Sequence, residues 1–210
     1  MTGLYRAGAI AAIAILVLLP IQIATFIIWP PPTTANAFLQ LFATNPLGGL
    51  ISTDVLYMLD LLLNALVMLA VGSAVWNETR ALVAPALGLL VIGTTAYVAN
   101  NPAFSLLWLS RRPPSEAIAS AAELSIANYQ GIANGTAYVI LGAAGLLLAL
   151  AVRRSRVFSR TTAWVGIGMN LLMLVPSGAG TVGLVMSLLS LVPFVVWLWL
   201  VSRRLAQLSR

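Results

Sequence analysis

The chain has no cysteine, no histidine and no lysine. Without cysteine it can form no disulfide, thiolate ligand or covalent haem link, and without histidine it has neither an imidazole base nor the commonest metal ligand. The missing lysine removes imine chemistry by a side-chain amine. Charge of either sign is scarce: 8% of residues are charged, where soluble proteins carry about a quarter. The acids are Asp54, Asp60, Glu78, Glu116 and Glu123, and all eleven basic residues are arginine. The arginines fall in a few clusters beside apolar runs, a pattern that sets membrane topology, and not in the basic stripe that nucleic-acid binding needs. No cofactor or metal is implied by these residue types.

What is present is apolar. Hydrophobic residues make up 60% of the 210 and the mean hydropathy is +0.99, which defines an integral membrane protein of the all-α class. Apolar runs predict six spans in one transmembrane domain over 1–210, at about 7–29, 51–76, 82–100, 124–152, 161–176 and 181–202. In the first, Pro20 predicts a kink. Ala35-Asn36-Ala37 resembles a small-residue cleavage site, so a cleaved signal stays open as the alternative for that run. Ala37 to Phe42 reads as a short interfacial helix. Ser115 before Glu116 reads as a helix cap. Asn100-Asn101-Pro102 leaves open whether the third helix ends there or runs on, kinked, past Trp108. Six spans put both termini on one side. With that side cytoplasmic, nine arginines lie inside against Arg111 and Arg112 outside, which predicts a multi-pass protein of the bacterial inner membrane.

The polar residues inside the spans carry the functional expectation. Asp54, Tyr57, Asp60 and Asn64 fall within about 120° of arc at helical spacing, and Met68 and Gly72 continue the stripe. If the helix starts near Ile51, Asp60 lies roughly 14 Å into a core about 30 Å thick. A carboxylate at that depth must be neutral, solvated or paired, and such residues usually have a function. Helix four adds Glu123, Gln130, Asn134 and Tyr138 within about 80° of arc at helical spacing. A continuous helix three would align Thr94, Tyr97, Asn101, Ser105 and Trp108; Gln22, Thr25 and Asn170 complete the set. With the predicted topology nearly all of these lie in the outer half, as a pocket open outward and closed below would require. Amides and hydroxyls in spans also join helix to helix without further role. Glu123 could equally form a surface bridge with Arg111 or Arg112. Gly131 and Gly135 form a GxxxG and, with Gly142 and Gly145, predict close packing and a face through which copies could associate.

The segments NPLGGLISTDVLYMLDLLLN, AYVANNPAF, NYQGIANGTAYVILGA, RSRVFSRTTAWVGI and GTVGLVMSLLSLVPFVVWLWLVSRR resemble stretches of an uncharacterised bacterial membrane family, domain of unknown function 4386. The resemblance implies a six-helix fold in a bacterial inner membrane and carries over no catalytic residue. Read from the residues, the first expectation is a binding module that takes a membrane lipid or small amphiphile, with Tyr57, Asp60, Asn64, Tyr97, Asn101, Gln130, Asn134 and Tyr138 as ligand contacts. The second is an acid-catalysed cyclase or isomerase acting on an isoprenoid-type lipid, with Asp60, Asp54 or Glu123 as the acid. The third is a proton-coupled transporter.

Overall fold

A computed structural model describes residues 1–210. The chain is helical throughout, with no strand. Its elements are α1 (Thr2–Ile28), α2 (Ala35–Thr44), α3 (Pro46–Ser52), α4 (Val55–Ala99), α5 (Ala103–Leu109), α6 (Glu116–Asn128), a π-helical segment (Tyr129–Ala137), α7 (Tyr138–Arg154), α8 (Arg160–Leu172) and α9 (Gly180–Leu208). Four stretches are long and apolar enough to cross a membrane: Thr2–Ile28, Val55–Leu109, Glu116–Arg154 and Gly180–Leu208.

The second of these stretches folds back on itself. In an unbroken helix Gly72 and Val83 would lie about 16 Å apart, yet a Cβ added at Gly72 would stand 3.0 Å from a methyl of Val83. Likewise the Tyr57 and Tyr97 rings are 5.2 Å apart. The reversal sits at Thr79, whose φ of −142° and ψ of 31° leave the helix. Its hydroxyl donates to the Val75 carbonyl at 2.8 Å, satisfying an acceptor that the break leaves free. The polar turn Asn77-Glu78-Thr79-Arg80 thus separates two antiparallel arms, between the expected spans 51–76 and 82–100.

Several boundaries differ from the sequence reading, each for a local reason. The second span begins at Val55, because Thr53 and Asp54 form a turn after α3. Asp54 takes φ 59° and ψ 32°, the left-handed conformation that Asp tolerates better than most side chains. Asp60 is therefore about 8 Å from the start of its helix and not about 14 Å. The third span stops at Ala99. Asn100 donates its amide to the Ala96 carbonyl at 2.8 Å, and Asn101 accepts from the Ala103 N–H at 3.0 Å, so one asparagine closes a helix and the next opens α5. The fourth span lies inside a 39-residue helical stretch that starts at Glu116, with Ser115 accepting from the Ile118 N–H. The fifth is 13 residues, α8 ending at Leu172 before a turn over Met173 to Ala179.

Two apolar clusters hold these elements. The larger joins α1, α4, α7, α8 and α9, with Ile15, Val67, Val71, Val83, Leu148 and Leu198 fully buried. The smaller lies across one end, where α2, α3, α5 and α6 pack around Phe38, Phe42, Leu106 and Ala122. At the opposite end Glu78 accepts from the Arg156 N–H at 3.0 Å and Arg204 donates to the Val157 carbonyl at 2.6 Å. That end collects nine of the eleven arginines. Arg80 lies over Trp76 and Arg153 over Trp164, while Arg112 lies over Trp108 at the capped end.

Candidate functional site

A cavity of about 560 Å³ runs between α1, α4, α7, α8 and α9 beneath the cap, a size in the range of small-molecule sites. Its upper wall is the stripe of α4 set out by helical spacing: Asp54, Tyr57, Asp60, Asn64 and Met68 all line it. From Glu78, at the arginine-rich end, Asp60 lies about 27 Å along the helix axis. The polar wall is accordingly at the capped half of the bundle. Deeper walls are Leu141, Leu148, Met169, Phe194 and Trp197.

Each acid has one donor. Gln22, two residues after Pro20 in α1, donates its amide to Asp60 Oδ2 in a short hydrogen bond. Asp54 Oδ2 accepts a short hydrogen bond from the Tyr129 hydroxyl, and the Tyr129 and Tyr97 hydroxyls are 3.2 Å apart. Tyr57, Tyr97 and Tyr129 stack edge to face, with interplanar angles of 66° and 77°. On the other side Tyr138 donates to Ser187 at 3.3 Å, and the Asn134 carbonyl accepts from Ser177 and from the Gly178 N–H, which ties the turn before α9 to the π-helical segment.

Four buried polar atoms on the cavity wall have no hydrogen-bond partner: Ser52 Oγ, Asp60 Oδ1, Asn64 Oδ1 and Trp197 Nε1. A fifth such atom, Thr94 Oγ1, lies elsewhere. Most buried polar groups are satisfied, so their concentration here marks the cavity as the place where a polar partner is called for. No arginine lines it. No three acidic side chains converge as a metal site would require.

Of the eight ligand contacts expected from sequence, Tyr57, Asp60, Asn64, Tyr97, Asn134 and Tyr138 line this cavity. Asn101 does not. It is buried and donates its amide to the Thr53 carbonyl at 2.8 Å, pinning α5 to the start of α4. Gln130 is exposed, as is Glu123. The reason is the π-helical segment, whose wider turn changes which positions share a face: Tyr129 points in where straight α spacing selects Gln130. Ser105 pairs with Ser125 at 2.6 Å, and Trp108 stays exposed under Arg112. The glycines divide as well. A Cβ at Gly142 would stand 3.0 Å from the Met173 backbone and one at Gly145 would fall on the Asn170 carboxamide, whereas one at Gly131 would meet nothing within 4 Å. Ser187, Ser190 and Trp197 on the cavity wall, and Tyr129, which does not line it but holds Asp54, are the site residues that sequence reading missed; only Tyr129, a tyrosine within a polar run, left a signal.

The Asp54–Tyr129 bond gives a direct test. Tyr129→Phe removes the donor and leaves a half-buried carboxylate unpaired, which will cost about 1 to 3 kcal/mol. Adding Asp54→Asn, which removes the charge, will recover part of that loss in thermal unfolding in a fixed detergent. No protein-family model, no curated protein and no solved structure matches this chain.

Proposed function

We propose that this protein crosses a bacterial inner membrane six times, with both termini cytoplasmic, and binds a single-chain, lipid-like amphiphile in the cavity. Membership in the family that the sequence resembles is part of the proposal. The six crossings are α1, the two arms of α4, the α6 to α7 stretch, α8 with its following turn, and α9. The orientation rests on the nine arginines at one end. Reporter fusions at Arg210 and in the loop after Trp29 will score opposite sides; a periplasmic signal from the C-terminus would overturn the topology.

The observation that carries the binding reading is the character of the cavity mouth. Ile23, Phe26 and Ile27 of α1, Trp29 just after it, and Leu184 and Leu188 of α9 line the cavity and are also exposed. They are apolar, so in a bilayer this opening meets hydrocarbon. Below it, α1 and α9 are closed: a Cβ at Gly8 would stand 3.1 Å from Leu205. From Asp60 to Met68 the lining descends about 12 Å along α4, close to the depth of one leaflet of a core about 30 Å thick. A chain entering sideways from the outer leaflet fits this shape. Ser187→Phe, which fills the slot opposite Tyr138, will abolish a copurifying amphiphile in native mass spectra while leaving the protein folded. An unchanged adduct would place the ligand elsewhere.

A further inference from the structure

Resting on that binding reading, we propose that the ligand's polar end is a protonated amine, so that the cavity selects cationic single-chain amphiphiles over neutral ones and excludes anionic ones. Selection has to come from the polar end. A tail that moves from bilayer to cavity exchanges one apolar surrounding for another and gains little.

Around Asp60 the polar wall accepts more than it donates; the unpaired donors, Ser52 Oγ and Trp197 Nε1, belong to other parts of the lining. Asp60, 5% exposed, has Oδ2 engaged by Gln22 while Oδ1 has no donor. One turn further along the same face, Asn64 Oδ1 is also without a donor, its amide being directed to the Met68 sulfur at 3.8 Å. Two unpaired acceptors at i and i+4 face the same space. Asp54 adds a second carboxylate about 9 Å further up the helix. Tyr57 lies between the two acids along the stripe and also lines the cavity, an aromatic neighbour of the kind cations favour. Against two carboxylates the lining sets no arginine. A phosphate, sulfate or carboxylate head would thus meet like charge and unpaired acceptors. An alcohol supplies one donor and no charge. An ammonium supplies three donors and the complementary charge.

The test uses the full-length protein in nanodiscs of zwitterionic lipid at neutral pH, with dodecylamine, dodecanol and dodecanoate as probes of one chain length. Retained probe is measured by native mass spectrometry, for wild type, Asp60→Asn and Ser187→Phe. Partitioning into the lipid is common to all three proteins and cancels in their ratio. Dodecylamine will bind about 10- to 100-fold tighter than dodecanol, the advantage of a charge-assisted hydrogen bond. Dodecanoate will show no saturable binding. Asp60→Asn will remove most of the amine's advantage and leave dodecanol nearly unchanged, and Ser187→Phe will lose both. Equal binding of the three probes, blocked by Ser187→Phe, would overturn the amine assignment and leave the lipid-like reading standing. Preference for dodecanoate would overturn the assignment in the same way. If no probe bound above the Ser187→Phe background, the cavity would hold water alone, and both the assignment and the binding reading would fall.

Discussion

Gly145→Leu will strongly deplete folded protein. Asn170 of α8 is buried against Gly145 of α7, with its amide donating to the Gly166 carbonyl at 2.7 Å. Any Cβ at 145 lands on that carboxamide. The side chain has to leave its bond, which strands a buried amide at about 1 to 3 kcal/mol, and the larger leucine adds an overpacking cost of about 1 to 3 kcal/mol. Against a total stability of about 5 to 15 kcal/mol, such a loss removes a large share of the folded population. Gly145→Ala paired with Asn170→Ala, which empties the contested space, will be more stable than the sum of the two single changes by about 0.5 to 3 kcal/mol. Gly131→Ala is the control. Nothing lies within 4 Å of its Cβ position, so it will be neutral or stabilising by about 0.5 to 1 kcal/mol. Unfolding midpoints in one detergent check all five variants against wild type. Equal losses at 131 and 145 would show that helix propensity, and not the α7–α8 contact, sets the cost.

The contrast between these glycines also marks what a sequence can disclose. Apolar length and the polar turn at Asn77 to Arg80 made the helices and one reversal readable, since both follow from local composition. The α4 stripe was readable because it needs only one regular helix, and all its members from Asp54 to Met68 reach the cavity. Once the geometry stops being regular, the reading fails. Nothing in YQGIANGTA announces a π-helix over Tyr129–Ala137, and α spacing across it chose Gln130 in place of Tyr129. The short-range rule for Pro102 could not decide whether the third helix ends; the break followed from a long-range bond, Asn101 to the Thr53 carbonyl. Ser187, Ser190 and Trp197 sit in an apolar run in which no local feature separates the face toward the cavity from the face toward lipid.

Asn101 shows why position, more than residue type, separates a ligand contact from a structural joint. Its amide nitrogen and oxygen are both used, by Thr53 and Ala103. Asn64 has an unused oxygen on the cavity wall. Asn101→Ala will therefore cost stability of about 1 to 3 kcal/mol and leave the affinity of the remaining folded protein for dodecylamine unchanged. Asn64→Leu will do the reverse. A loss of affinity in folded Asn101→Ala would move the polar end of the site up into the cap.

Wild-type protein incubated with a membrane lipid extract will retain an amphiphile and return it unaltered, and Asp60→Asn will reduce the retained amount on the order of tenfold or more. The alternative chemistry, in which Asp60 protonates an isoprenoid-type lipid, needs a transferable proton and a second group that takes a proton back. Asp60 is held by Gln22, which donates to it and cannot relay a proton as an acid would. The nearest other acid is Asp54, about 9 Å along the helix and engaged by Tyr129. Neither acid has the other within reach, and the arrangement favours holding a donor over passing a proton. An enzyme would keep its ligand in Asp60→Asn and lose turnover by about 100-fold or more. A binding protein shows no turnover in either form and differs only in affinity. Mass spectrometry of both the retained and the released lipids separates the two. A converted species with wild type that disappears in Asp60→Asn at undiminished retention would make Asp60 a catalytic acid. Conversion that survives Asp60→Asn and is lost in Asp54→Asn would assign the proton to the Asp54–Tyr129 pair.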